Sequence, residues 1–241
     1  MKHKKPLQLS LNVHLNDDAT LDNYFTPCVG GNALALHAVR ELVVANNPSE
    51  RFVYLWGAEG VGRSHLLQAA CNAASASGLL CQYLPLDELT TFDAELLFEN
   101  LEQINLICLD NLQHVLGQQH WDHALFHFYN RLRDKPHCRL LVSANCAPRD
   151  LASSLPDLVS RMAWGVAFHL SQLSDAEKIL ALKLRANTRG IELSDEVLTF
   201  ILNHAPRAMN ELFECLERID KASLVEKRRV TIPFIKDALG W

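Results

Sequence analysis

Residues 57 to 64 read Gly-Ala-Glu-Gly-Val-Gly-Arg-Ser, the spacing G-x-x-x-x-G-[KR]-[ST]. An apolar run, Phe52-Val-Tyr-Leu-Trp56, comes before it, and the helix-compatible stretch His65-Leu-Leu-Gln-Ala-Ala follows. Strand, glycine loop and helix start in that order let backbone N–H groups wrap the phosphates of a nucleotide. Gly57, Gly60, Val61 and Gly62 would form the cradle, and Arg63, Ser64 and His65 the first helical turn. Arg63 stands where a phosphate-binding loop has Lys. The planar guanidinium keeps the positive charge but is bulkier than an ammonium, so binding survives the change better than γ-phosphate chemistry does.

Asn105-Leu-Ile-Cys-Leu-Asp110 reads as a buried strand ending in a carboxylate, from which Asp110 can hold Mg²⁺ together with the Ser64 hydroxyl or merely start a turn. The next residue, Asn111, carries an amide where a hydrolase wants a second carboxylate. An amide orients water but takes no proton, so intrinsic hydrolysis should be slow; the alternative is that Asn111 simply opens a turn. Arg139-Leu-Leu-Val-Ser-Ala-Asn145 ends a further strand in polar residues. Ser143 or Asn145, a candidate ligand sensor, would then lie between the phosphate-binding strands, unless Asn145 only begins the turn before Pro148. His120, His123 and His127 share one helix face, but without the glutamate of H-E-x-x-H they read as a polar face sooner than as a zinc site.

These residues need a frame. Strand-like runs at 52–56, 79–84, 105–109, 139–144 and 166–170 alternate with helical stretches such as 63–77 and 120–135. The alternation predicts an α/β fold, a parallel sheet with helices on both faces, with ligands at the strands' C-terminal ends. After Leu170 the strand signals stop and four helix starts follow: Ser174 with Glu177 as a capping box, Ser194, Pro206, and Thr231 with Pro233. A small all-helical domain is expected there.

With 241 residues, 49% of them hydrophobic, the chain can bury a substantial core, and a formal net charge of −5 argues against a broad nucleic-acid-binding surface. Seven scattered cysteines without a CxxC pair read as reduced core residues. No apolar stretch suits a signal peptide or a membrane span, so a cytoplasmic location with no membrane partner is expected.

Taken together, the glycine loop, the Asp110 and Asn145 strands, Leu155-Pro-Asp-Leu-Val-Ser-Arg-Met-Ala-Trp-Gly165 and the four-helix end resemble the AAA+ ATPase and lid regions of the DnaA family. The resemblance covers nearly the whole chain. It implies a P-loop AAA+ base domain over 18–170, a helical lid over 171–241 and an amino-terminal tail over 1–17. DnaA initiators also carry an amino-terminal partner domain and a carboxy-terminal helix-turn-helix domain. The resemblance finds neither here, which is similar to the family's regulatory members that inactivate the initiator.

By that resemblance Gln8, Leu9, Ser10 and Leu11 look like a peptide for the DNA polymerase sliding clamp, and DNA would be reached mainly through the clamp. An extended tail of this kind presents an amide and two leucines to an apolar pocket. Arg161 falls on the family's arginine finger, which would act in trans on a DnaA subunit's ATP; read without the family, it suits an interdomain salt bridge. Tyr24 and Phe25 match the segment around base and ribose. The lid arginine aligns with Asn210, and Arg207, one turn earlier, is the substitute. The implied ligand is a nucleoside diphosphate, ADP, with Mg²⁺ at Ser64 and Asp110, and AAA+ domains of this type also self-associate head to tail.

Overall fold

The computed structural model describes residues 19–45, 47–226 and 229–241. Five parallel strands, β1 (Phe52–Gly57), β2 (Cys81–Pro85), β3 (Leu106–Asp110), β4 (Arg139–Ala144) and β5 (Val166–Leu170), form one sheet in the order β2-β3-β4-β1-β5. Between and before them run α1 (Gly31–Val44), α2 (Arg63–Ala76), the short α3 (Ala94–Leu97), α4 (Gln119–Arg133) and α5 (Pro156–Met162). Strand side chains alternate between two cores. Val53, Leu55, Cys108 and Leu141 pack under α1 and α2. Tyr54, Ile107, Leu109, Leu140 and Val142 pack under α3, α4 and α5, around the fully buried Trp121 and Leu125.

Two arginines tie helix ends to the sheet. The Arg139 guanidinium donates to the carbonyls of Val43 and Ala45 at the end of α1, and that of Arg51 to Lys135 and Cys138 beyond α4. Cations there satisfy orphan carbonyls and oppose the helix dipole.

The lid is a separate core of α6 (Asp175–Thr188), α7 (Asp195–His204), α8 (Met209–Glu226) and α9 (Ile232–Leu239), built on Leu182, Leu198, Ile201, Leu216 and Phe234. Its starts follow the sequence. Ser174 and Glu177 close a capping box, Ser194 accepts from the Val197 N–H, and Thr231 accepts from the Phe234 N–H.

His120, His123 and His127 lie on the exposed side of α4, and among the described residues no group of His, Cys, Asp and Glu is placed to hold a metal. Cys71, Cys108, Cys138 and Cys215 are buried free thiols, whereas Cys28 is exposed, an exception to the expected core pattern. No helix among the described residues is long and apolar enough to cross a membrane.

Candidate functional site

The glycine loop leaves the C-terminal end of β1 and passes into α2 at Gly62, whose φ of 92° is a left-handed value that other residues adopt only with strain. A Cβ at Gly62 would also stand 2.6 Å from the Tyr24 ring, so the glycine is required twice over. Tyr24 lies against the loop because its hydroxyl donates to the Val61 carbonyl at 3.2 Å. His65, in the first turn of α2, is tied to the Thr20 carbonyl at 3.2 Å. Burial holds its pKa below the ordinary imidazole value and Arg185 adds to the effect, against the Thr20 bond. The first N–H groups of α2 have no intrahelical acceptor, and with the helix dipole they favour an anion.

Arg63, the first residue of α2, is only 9% exposed, and its Nη1 has no hydrogen-bond partner among the described residues. Burial lowers its pKa, while Asp110, Tyr54, Glu59 and Cys146 nearby support the charge. A desolvated guanidinium with an unused donor is costly unless an anion satisfies it. A phosphate group supplies what this residue lacks, so the site fits a phosphorylated ligand.

Asp110, at the end of β3, is fully buried. Its carboxylate accepts from the Tyr83 hydroxyl at 2.6 Å, from the Asn111 N–H at 3.0 Å and from the Ser143 hydroxyl. Burial and the Asp110 charge push the Tyr83 phenol up, which keeps it a donor. Of the expected Mg²⁺ pair, only Ser64 is on the cleft wall. Asp110 lies behind it, facing Arg63 electrostatically, because three donors hold its oxygens inward. Ser143 is likewise buried in this network, and Asn145 is the residue of that strand end that reaches the cleft. Asn111 both opens a 3-10 turn, with φ 57°, and lines the cleft, its side-chain amide donating to Asp87 at 3.2 Å.

Base domain and lid enclose the cleft in two lobes. One, of about 500 Å³, is walled by Tyr24, Phe25, Asn32, Lys178 and Arg207. The other, of about 1200 Å³, is walled by Arg63, Ser64, Asn111, Asn145, Asn210, Arg185 and Arg189. Gly60, Gly62, His65 and Phe213 border both. The lid approaches the loop closely, with Ala208 and the Asn210 amide oxygen 4.0 Å from where a Gly60 side chain would begin. Arg207 is on the first lobe and pairs with Asp175 at 3.2 Å.

Among the wall residues that were not anticipated are Asn32, Arg185 and Arg189. Asn32 is buried and exchanges hydrogen bonds with Ser171, pinning the strand-to-lid connection. Arg185 comes from α6 and Arg189 caps its C-terminal end; their spacing from Lys178 and Ala181 along one helix face is the sequence signal that points to them.

Arg161 is elsewhere. In the last turn of α5 it is half-buried and lines neither lobe. Its Nε donates to the Asn130 side chain at 2.7 Å, and its guanidinium carbon lies 4.1 Å from the Phe126 ring centroid and 5.7 Å from that of Trp164. These partners all belong to the sheet domain, and among the described residues Arg161 makes no interdomain salt bridge of the kind the sequence also allowed. Gln8, Leu9, Ser10 and Leu11 lie outside the described residues.

The family model for the bacterial DnaA ATPase domain matches residues 15–169, and that for the Hda lid domain matches residues 175–239. Domain III of Thermotoga maritima DnaA has a TM-score of 0.77 at 21% identity, over 95% of this chain and 98% of that one. AMPPCP-bound DnaA from Aquifex aeolicus gives 0.73 at 24% identity, over 88% and 68%. The Thermotoga maritima RuvB branch migration motor gives 0.63 at 15%, over 87% and 67%. At these identities the likeness to solved structures establishes the fold.

Proposed function

The chain belongs to the bacterial DnaA ATPase family of AAA+ proteins and carries an Hda-type lid, and from that premise we propose that it is a cytoplasmic regulator of replication initiation. It holds a nucleoside diphosphate, ADP, in its own cleft and lends Arg161 to the ATP site of a DnaA subunit. DnaA-ATP becomes DnaA-ADP, and initiation is switched off.

The observation that carries this reading is the separation of the two arginines. Arg63 is buried at the glycine loop with an unused donor, and Arg161 is held on another element, away from both lobes of the cleft. When bound, the diphosphate supplies the anion that Arg63 and the start of α2 lack. Tyr24 and Phe25 flank the base side, Arg207 borders the same lobe, and Ser64 is the protein oxygen on the wall for Mg²⁺, with Asp110 behind it. Because lid and loop line one cleft, a ligand touching both fixes their relative orientation. Asn111 orients water without taking its proton, which favours holding over turnover.

The reading also assigns Gln8–Leu11 to the sliding clamp. A tether on clamp-loaded DNA raises the effective concentration of Arg161 near DnaA without any new contact between the two proteins. Replacing Gln8 and Leu11 with alanine is expected to weaken clamp binding and to slow DnaA-ATP hydrolysis only in the clamp-dependent assay; unchanged clamp affinity contradicts the tether. Denaturing the purified protein and identifying the released nucleotide by mass is expected to yield a diphosphate. Brisk phosphate release by the protein alone would instead identify an autonomous ATPase, and full activity without Arg161 a passive clamp adaptor.

A further inference from the structure

The family's lid arginine aligns with Asn210, which brings no charge to the cleft. Arg207, the expected substitute, borders the lobe of Tyr24 and Phe25, is paired with Asp175, and its carbonyl accepts from Lys178 at 2.8 Å. The positive end of the lid is therefore directed toward the base side by these two residues. The larger lobe, which contains Arg63 and Ser64, receives its lid cations from α6 alone among the described residues.

α6 runs along the cleft. Lys178 and Ala181 border the first lobe and Arg185 and Arg189 the second, a single face spanning roughly 16 Å at the helical rise. Arg189 is drawn back toward α8 by Asp220, at 3.8 Å. Arg185 borders the same lobe. Its guanidinium carbon is 5.6 Å from the ring centroid of Phe213, a residue that borders both lobes. Arg185 therefore stands on the wall of the glycine-loop lobe, close enough to His65 in the first turn of α2 for its charge to act on that imidazole. The same wall carries Glu214 and Glu217, and Glu59 and Asp87 face it from the base domain, so an incoming phosphate meets carboxylates unless a cation offsets them.

We propose that Arg185 is the lid's phosphate-reading residue: it contacts the diphosphate from α6 and so takes over, from a different helix, the role for which Asn210 has no charge. This rests on the diphosphate reading above. Selection would follow from the charge. Arg185 should matter for ligands that extend past the first phosphate and little for those that stop there, because a guanidinium–phosphate bond is charge-assisted and directional.

The test compares ADP with AMP, each titrated calorimetrically into wild-type protein and into Arg185→Gln, Arg185→Lys and Lys183→Ala. Lys183 pairs with Asp195 on the outer side of α6 and serves as the control. Arg185→Gln is expected to weaken ADP at least about ten-fold and AMP by less than about three-fold, the size of one lost charge-assisted bond. Arg185→Lys is expected to recover part of the loss, and Lys183→Ala to change neither ligand. Equal losses on ADP and AMP, or unchanged ADP affinity in Arg185→Gln, would overturn the assignment. Should Arg185→Gln not fold, the ADP-to-AMP ratio of Arg185→Lys decides: a ratio below wild type supports the proposal and an unaltered one overturns it. Wild-type protein that binds no ADP would overturn the diphosphate reading itself, an outcome distinct from all of these.

Discussion

Arg63 and Arg161 are the same residue type in two opposite settings. Arg63 is sealed at the glycine loop, its charge disfavoured by burial and one donor unused. Arg161 rests on Phe126 and Trp164 with its Nε fixed by Asn130, and Trp164 is 55% exposed beside it. The first setting suits a residue completed by a small ligand within the chain. The second suits a residue kept extended and charged for something arriving from outside, since stacking on aromatic faces orients a guanidinium without neutralising it. On the proposed function, binding and action sit on separate elements, α2 and α5, so each is open to a separate substitution.

The largest effect should come from Arg161→Ala. Stimulation of DnaA-ATP hydrolysis is expected to fall about a thousandfold, toward the initiator's own rate, while ADP affinity stays unchanged. A parallel loss of ADP binding would mean that Arg161 and the nucleotide cleft are one functional unit. Arg63→Met should do the reverse at a smaller scale. ADP affinity is expected to drop about ten- to hundred-fold, the range for a charge-assisted hydrogen bond. The ligand-free protein should melt at a lower temperature, because Arg63→Met leaves the buried Asp110 carboxylate without the cation that faces it; an unchanged or higher ligand-free Tm would mean that the three donors to Asp110 hold its charge without Arg63. The smallest effect is expected for Asn130→Ala. Losing the 2.7 Å anchor leaves Arg161 on its aromatic rings, so stimulation should fall only about three- to ten-fold, near 1 kcal/mol, with no change in ADP binding.

Much of this frame was legible in the sequence because it rests on local chemistry. Apolar runs between glycine and polar turns marked all five strands to within two residues, and cap residues marked the lid helices. α5 is a single short helix and carried no periodicity of its own. The glycine loop was legible for the same reason: its spacing is contiguous. What escaped was set by packing between distant segments. Asp110 ends its strand as expected, yet whether its carboxylate faces the cleft or the interior depends on Tyr83 and Ser143, which come from two other strands. Arg139 read as the polar start of a strand, and its burial against the end of α1 depends on a helix nearly a hundred residues earlier. Arg185 is about 120 residues from the loop it faces, and only the docking of the lid brings the two to one cleft.

On the proposed function this chain holds its own nucleotide and acts on another's, and single-turnover release of γ-labelled phosphate on clamp-loaded DNA, with the labelled ATP placed either on this chain or on DnaA, separates the two roles. Release is expected from the DnaA-bound pool alone, dependent on Arg161. Release from this chain's own pool without DnaA, or from the DnaA pool with Arg161→Ala, would contradict it.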